Sequence, residues 1–258
     1  MLKLAITGKG GVGKTTLSAL LAHAFAEQAQ QVLAIDADPA TGLAMACGVP
    51  TEIAERITPI AEMEDLIYER TGARKGEIGG FFKLNPRVDD IPERFAVSQN
   101  GIRILTMGTV KSGGTGCLCP ENALLQSLVT YLLLQRDEVL ILDMEAGVEH
   151  LGRGTARAVD EFIIVVEPGR RSIQTAHSIR GLAADLGIGR IYVVGNKIVD
   201  ASDEAFIIDQ LAGFEMLGFL PSDRQAIEAD RMGQSVFDAA PQLADRARAM
   251  VKRLMADR

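Results

Sequence analysis

The chain of 258 residues is 47% hydrophobic and 24% charged, enough apolar side chain to bury a large core, so one α/β domain over 1–258 is expected in preference to two. A formal net charge of −7 without clustered Lys and Arg excludes a broad nucleic-acid surface, and no apolar run reaches membrane-spanning length. Three cysteines (Cys47, Cys117, Cys119) make no extracellular disulfide framework, and the N-terminus enters a strand too soon for a signal peptide, so a cytoplasmic location is expected.

The apolar strand Leu2–Thr7 leads directly into Gly8-Lys9-Gly10-Gly11-Val12-Gly13-Lys14-Thr15-Thr16. This is a complete GxxxxGKT phosphate loop between a strand and a helix, the context the motif requires. Backbone N–H groups from Gly10 to Thr16 are expected to line a nest for a polyphosphate, helped by the positive end of the following helix. Lys14 is placed to reach the β- and γ-phosphates of ATP, and the Thr15 hydroxyl to hold Mg²⁺. Leu17, Leu20, Leu21, Ala24 and Phe25 form one apolar stripe at helical spacing. A bland glycine-rich turn would explain the glycines but not the strand, lysine and helix together.

A second strand, Gln31–Ile35, ends on Asp36-Ala37-Asp38-Pro39, which puts carboxylates at the carboxyl end of a parallel strand, where α/β sheets bind ligands. Asp36 is expected near the Mg²⁺ shell. Asp38 either orients the attacking water or caps a helix that starts at Pro39. Cys47, in the apolar run Leu43–Gly48, reads as a small core residue. From 51 to 100 the pattern is irregular: a helix over Pro59–Arg70, then Gly72, Gly76, Gly79-Gly80, Pro86 and Pro92, read as an elaborated surface segment. Within it, Val88–Pro92 reads as a solvated turn.

The strand Ile102–Met107 is followed by the glycine-rich Gly113–Gly116, then Cys117-Leu118-Cys119-Pro120 and a helix through Leu134 with Leu125, Leu128, Val129 and Leu132 on its apolar face. Val139–Leu142 ending in Asp143 is a Walker B pattern, with Asp143 expected on a Mg²⁺-bound water. Strands Glu161–Glu167 and Ile191–Lys197 flank a helix from about Ser172 to Leu186, and Arg170-Arg171 reads as its solvated start. Asn196 ends its strand at the nucleotide crevice, where its amide either reads an adenine edge or serves a turn. A short strand Met216–Leu220 runs into Pro221, which is grouped with the nucleotide-contacting residues. The last helix, Pro241–Met255, has Leu243, Ala247, Met250, Val251 and Leu254 on one side, a stripe better suited to core packing than to a membrane-targeting tail. Near-continuous apolar strands alternating with helices predict a mostly parallel sheet with helices on both faces.

Lys9, inside KGGVGKTT, resembles the signature lysine of the MinD/ParA/nitrogenase-iron-protein class of deviant Walker A P-loop ATPases. With DADP at 36–39, Cys117-x-Cys119 and Asp143-Met144-Glu145-Ala146-Gly147-Val148-Glu149-His150, the chain resembles CooC-type carbon monoxide dehydrogenase maturation ATPases over essentially its whole length. The resemblance implies Mg²⁺-dependent hydrolysis of ATP to ADP, coupled to homodimer formation and to nickel insertion into carbon monoxide dehydrogenase apoprotein. It implies that Lys9 reaches the partner chain's ATP, that Asp38 supports hydrolysis, and that Cys117 and Cys119 bind nickel or zinc, shared across the dimer. No nucleic acid or stable membrane insertion is expected. The competing readings are a spatial-positioning ATPase and an iron–sulfur carrier, since iron–sulfur clusters also take cysteine thiolates. His150, Glu145 and Glu149 carry no assigned role.

Overall fold

The computed structural model describes residues 2–39, 41–74, 81–109, 119–145 and 158–256. One eight-stranded sheet organises them: β1 (Lys3–Thr7), β2 (Val32–Ala37), β3 (Val97–Gln99), β4 (Ile102–Thr106), β5 (Val139–Met144), β6 (Glu161–Val166), β7 (Ile191–Ile198) and β8 (Glu215–Pro221), in the order β3-β4-β2-β5-β1-β6-β7-β8. All neighbours are parallel except the edge pair β3–β4. The chain leaves β1 towards β2 and β4, returns to β5, then crosses β1 to β6. That reversal makes the carboxyl end of β1 the switch point, where an open α/β sheet has its crevice.

The longer helices are α1 (Lys14–Ala26), α2 (Glu64–Thr71), α3 (Pro120–Gln135), α4 (Arg170–Leu186), α5 (Ala201–Gln210), α6 (Arg224–Met232) and α7 (Pro241–Ala256). Alternate strand residues separate into two cores, as period-two side-chain geometry demands. Leu140, Leu142, Phe162 and Ile164 pack with α2, α3, α4 and α5; Val139, Ile141, Ile163 and Val165 pack with α1 and α7. Each fully buried Leu or Ile contributes about 1.5–3 kcal/mol of transfer free energy.

The expected stripe on α1 is buried, but so are Ala19, Ala22 and His23 on its other sides. Sandwiched between the sheet and α7, this helix has almost no wet face. The apolar side of α7 (Leu243, Ala247, Met250, Val251, Leu254) is buried in the same core, which accounts for the stripe without a membrane. Among the described residues no helix is long and apolar enough to cross a membrane.

Two expectations need correction. The helix over Pro59–Arg70 is a 3₁₀ turn (Ile60–Glu62) and α2, broken at Met63, whose ψ of 85° is not helical. The turn at Val88–Pro92 is not simply solvated. Val88 and Ile91 are buried, and Asp90 accepts from Arg70 at 2.7 Å and Arg94 at 3.0 Å. The edge strand β3 and helices α5 and α6 were not expected at all.

His23 stacks on Phe237 with ring centroids 5.0 Å apart, and its Nε2 lies 3.1 Å from the Cys47 carbonyl. Burial lowers its pKa from 6.5, against the opposing effect of the Cys47 bond. The unfolded chain therefore takes up this proton first as pH falls. The neutral ring contributes stability that is present above pH 6.5 and is lost below it. We expect the urea midpoint of the wild type to fall between pH 7 and pH 5 more steeply than that of His23→Gln, as followed by circular dichroism.

Candidate functional site

The phosphate loop begins where β1 ends. Thr7 donates its hydroxyl to the Glu145 carbonyl at 2.9 Å, tying β1 to the end of β5. Gly8 lies so close to β6 that a Cβ there would come within 2.4 Å of the Val165 carbonyl oxygen. At Gly13, φ is +96° and a Cβ would meet the Asn196 amide at 2.1 Å, so both conformation and space demand glycine. Val12, between them, is fully buried and anchors the loop to the core.

Asn196 is the strap. Its Nδ2 donates to the Val12 carbonyl at 2.7 Å, and its Oδ1 accepts from the Lys197 amide at 2.8 Å. The side chain thus ends its strand at the crevice, as expected, but both ends of its amide are engaged in shaping the loop. Pro221 stands one strand further out, paired with Ile198 at the same end of the sheet. Gly10 and Gly11 form the outer turn of the loop, and Thr16 is half-buried in the first turn of α1.

Lys14 and Thr15 open α1 and point back over the strand ends. Lys14 is buried, with its ammonium 3.5 Å from Asp38 Oδ2. Thr15 donates its hydroxyl to Asp143 Oδ2 at 2.7 Å. Ser18, which sequence reasoning passed over, lies one turn on. Its hydroxyl is 2.9 Å from the Lys14 carbonyl and 3.1 Å from Asp143 Oδ1, so one proton is shared between two acceptors. A serine one helical turn after the P-loop threonine is the signal the sequence holds for it.

Asp36 and Asp143 are register partners on adjacent strands, and both are buried. Asp36 accepts three backbone N–H groups, from Asp38, Gly42 and Leu43, so its main work here is to shape the loop that presents Asp38. Burial nonetheless raises its pKa, against those three bonds. Burial likewise pushes Asp143 up to about 7, with the Asp36 charge adding to it and Thr15, Lys14 and Ser18 opposing. With Asp36 occupied by those backbone bonds, the Asp143 carboxylate and the Thr15 hydroxyl bonded to it are the oxygen donors placed to suit Mg²⁺.

Lys9 is partly exposed and meets Glu167 Oε1 at 3.2 Å. Glu167 also takes Lys197 on Oε2 at 3.2 Å, and Lys197 Nζ donates to the Gly11 carbonyl at 2.6 Å. Neither Glu167 nor Lys197 belongs to a motif legible in the sequence.

Cys119 is buried at the N-cap of α3, and its carbonyl accepts from Ala123 at 3.1 Å. Cys117, the glycines at 113–116, Glu149 and His150 lie outside the described residues, and so does the expected pairing of the two thiols. Among the described residues no three His, Cys, Asp or Glu side chains converge as a metal-ion site. Cys47 is fully buried, and burial first, then the Asp143 and Asp36 charges, raises its thiol far above the ordinary value. It is a core residue, as expected.

Residues 3–236 match the CobQ/CobB/MinD/ParA nucleotide binding domain. The chain is 49% identical over 254 residues to the carbon monoxide dehydrogenase accessory protein CooC of Rhodospirillum rubrum, covering 98% of this chain and 96% of that one. It is 44% identical over 237 residues to an uncharacterized ATP-binding protein of Methanocaldococcus jannaschii, covering 91% of each. A solved ParA family ATPase from Chlorobium tepidum superposes with a TM-score of 0.70 at 18% identity, covering 98% of both chains, a likeness of fold.

Proposed function

The chain belongs to the CobQ/CobB/MinD/ParA nucleotide-binding family and is a P-loop ATPase of that type, and from this premise we propose that it is a metallochaperone ATPase for maturation of carbon monoxide dehydrogenase. The observation that supports the chemistry is the crossing of two contacts over the β1 end, Lys14–Asp38 and Thr15–Asp143. The client is inferred from the Rhodospirillum relative, which matches nearly end to end.

In this reading Lys14 and the loop N–H groups bind the ATP phosphates. Thr15 would hold Mg²⁺ and Asp143 one of its bound waters, and the ion when bound would supply charge neutralisation at the phosphoryl group. Asp38, carried on the loop that Asp36 braces, positions the attacking water. Lys9 acts in trans, on the ATP of a second chain, much as an arginine finger does. Asn196 and Pro221 border the adenine side. Nickel is the cargo, taken up by Cys117 and Cys119 of two chains and passed to the dehydrogenase apoprotein.

If ATP is sandwiched between two chains, it binds the dimer better than the monomer and shifts the equilibrium by mass action. Sedimentation of Asp38→Asn is expected to show monomer without nucleotide and dimer with Mg-ATP, in metal-free buffer. Unchanged mass in both would count against the sandwich. The function itself is tested by mixing apo-dehydrogenase, Ni²⁺ and this protein. Activation should need hydrolysable ATP, and an active ATPase that gives no activation would overturn the client assignment.

A further inference from the structure

Glu167 follows β6 directly, at the strand end that flanks the phosphate loop. Its backbone is fixed: its N–H donates to the Ser172 hydroxyl at 3.1 Å, and its carbonyl accepts from Gly169 at 2.7 Å. The side chain is therefore aimed by α4 rather than drifting in solvent. One carboxylate oxygen holds Lys9 and the other holds Lys197, each at 3.2 Å. Lys197 is itself constrained. It is one of three described non-glycine residues with positive φ, at +60°, and its ammonium is tied to the Gly11 carbonyl. Partial burial raises the Glu167 pKa, yet the two lysines outweigh it and hold the carboxyl below its ordinary value, so the group is an anion at neutral pH.

A lysine that must reach across to a second chain is here held by its own chain. We infer that Glu167 is a positioning residue that latches Lys9 in cis, so that pairing of two ATP-bound chains requires exchange of the Lys9–Glu167 ion pair for the phosphates of the facing chain. Lys197 completes the device. When Lys9 leaves, the carboxylate keeps a cation, so the exchange does not strand a half-buried charge, and the Gly11 carbonyl keeps its donor. The latch raises the ATP-bound protein concentration needed for pairing and suppresses turnover by isolated chains. This inference rests on the trans role of Lys9 proposed above.

The test uses Glu167→Gln in the full chain. ATPase activity per chain is measured against protein concentration, and Lys9 acylation by an amine-reactive reagent is followed by mass spectrometry in nucleotide-free protein. Two exposed-type ion pairs are given up per dimer, so the half-maximal protein concentration should fall roughly 2- to 30-fold. Lys9 should be acylated faster, by about twofold or more, because its carboxylate partner is gone. Glu167→Asp keeps the charge and shortens its reach, and it should shift both readouts in the same direction by less, which covers the case of a poorly folded glutamine variant. Unchanged Lys9 acylation would show that Glu167 does not hold it. Faster acylation with an unchanged or raised concentration threshold would show that the contact does not oppose pairing. Either result overturns the latch. Loss of the trans role is seen separately, as wild-type turnover by Lys9→Ala.

Discussion

Lys14→Ala is expected to lower kcat/KM for ATP hydrolysis by about 10³-fold or more, since it removes both a phosphate contact and a charge that strengthens in the transition state. The structure adds a second cost. Lys14 is buried and 3.5 Å from Asp38 Oδ2, so the substitution also removes the cation that faces the Asp38 carboxylate. Lys14→Arg should not rescue, because a planar guanidinium does not fit where a compact ammonium emerges beside the loop. Asp38→Asn should behave differently. It keeps the loop that Asp36 braces and leaves Lys14 with a neutral neighbour, so nucleotide affinity should hold or rise while kcat falls by roughly 10²- to 10³-fold. Titration with a fluorescent ATP analogue beside steady-state turnover separates the two. Wild-type turnover by Asp38→Asn would remove that residue from the mechanism.

What was legible in the sequence follows from how local each signal is. The central parallel strands announce themselves as apolar runs, because burial on both faces leaves no polar positions in a strand such as Val139–Leu142. The phosphate loop and Asp143 are legible because their geometry is fixed within a few residues of a strand end. The edge strand β3 was not, since Val97-Ser98-Gln99 is short, half-exposed and pairs with only one neighbour. Helix α6 has only Ala229 fully buried, and α5 only Ile207, so both are short surface helices that commit little apolar side chain to the core. Their Asp caps, Asp200 and Asp223, each accepting an N–H two residues on, were the available signal. The unforeseen roles share one cause. Asn196 meets Val12, and Glu167 meets Lys9, across 184 and 158 residues of chain, and such pairings exist only once β6 lies beside β1 and β7 beside β6.

Loss of either Cys117 or Cys119 is expected to abolish metal-linked dimerisation completely while leaving ATP binding intact. One residue separates the two cysteines, so a single chain offers two thiolates, half of a four-coordinate site. A second chain, related by a two-fold axis, would supply the same pair again. Cys119 caps α3, which connects β4 to β5 and therefore starts at the sheet end that carries the phosphate loop. A metal on Cys119 would be anchored to a rigid helix on the side where two ATP-bound chains would meet, so metal and nucleotide would favour the same dimer and bind each other's dimer more tightly. Four thiolates in tetrahedral array favour Zn²⁺, whereas Ni²⁺ prefers square-planar or tetragonal surroundings. Zinc should thus bind at least as tightly as nickel in vitro, and weak, exchangeable nickel is what a donor to another protein needs. Metal analysis with sedimentation on anaerobically purified protein should give one metal per two chains. In Cys117→Ala, Cys119→Ala and the double variant, metal should no longer shift the mass, and ATP should bind as in the wild type because the phosphate loop is a separate element. One tightly held metal in a strict monomer, or full metal affinity in the double variant, would sink the shared site.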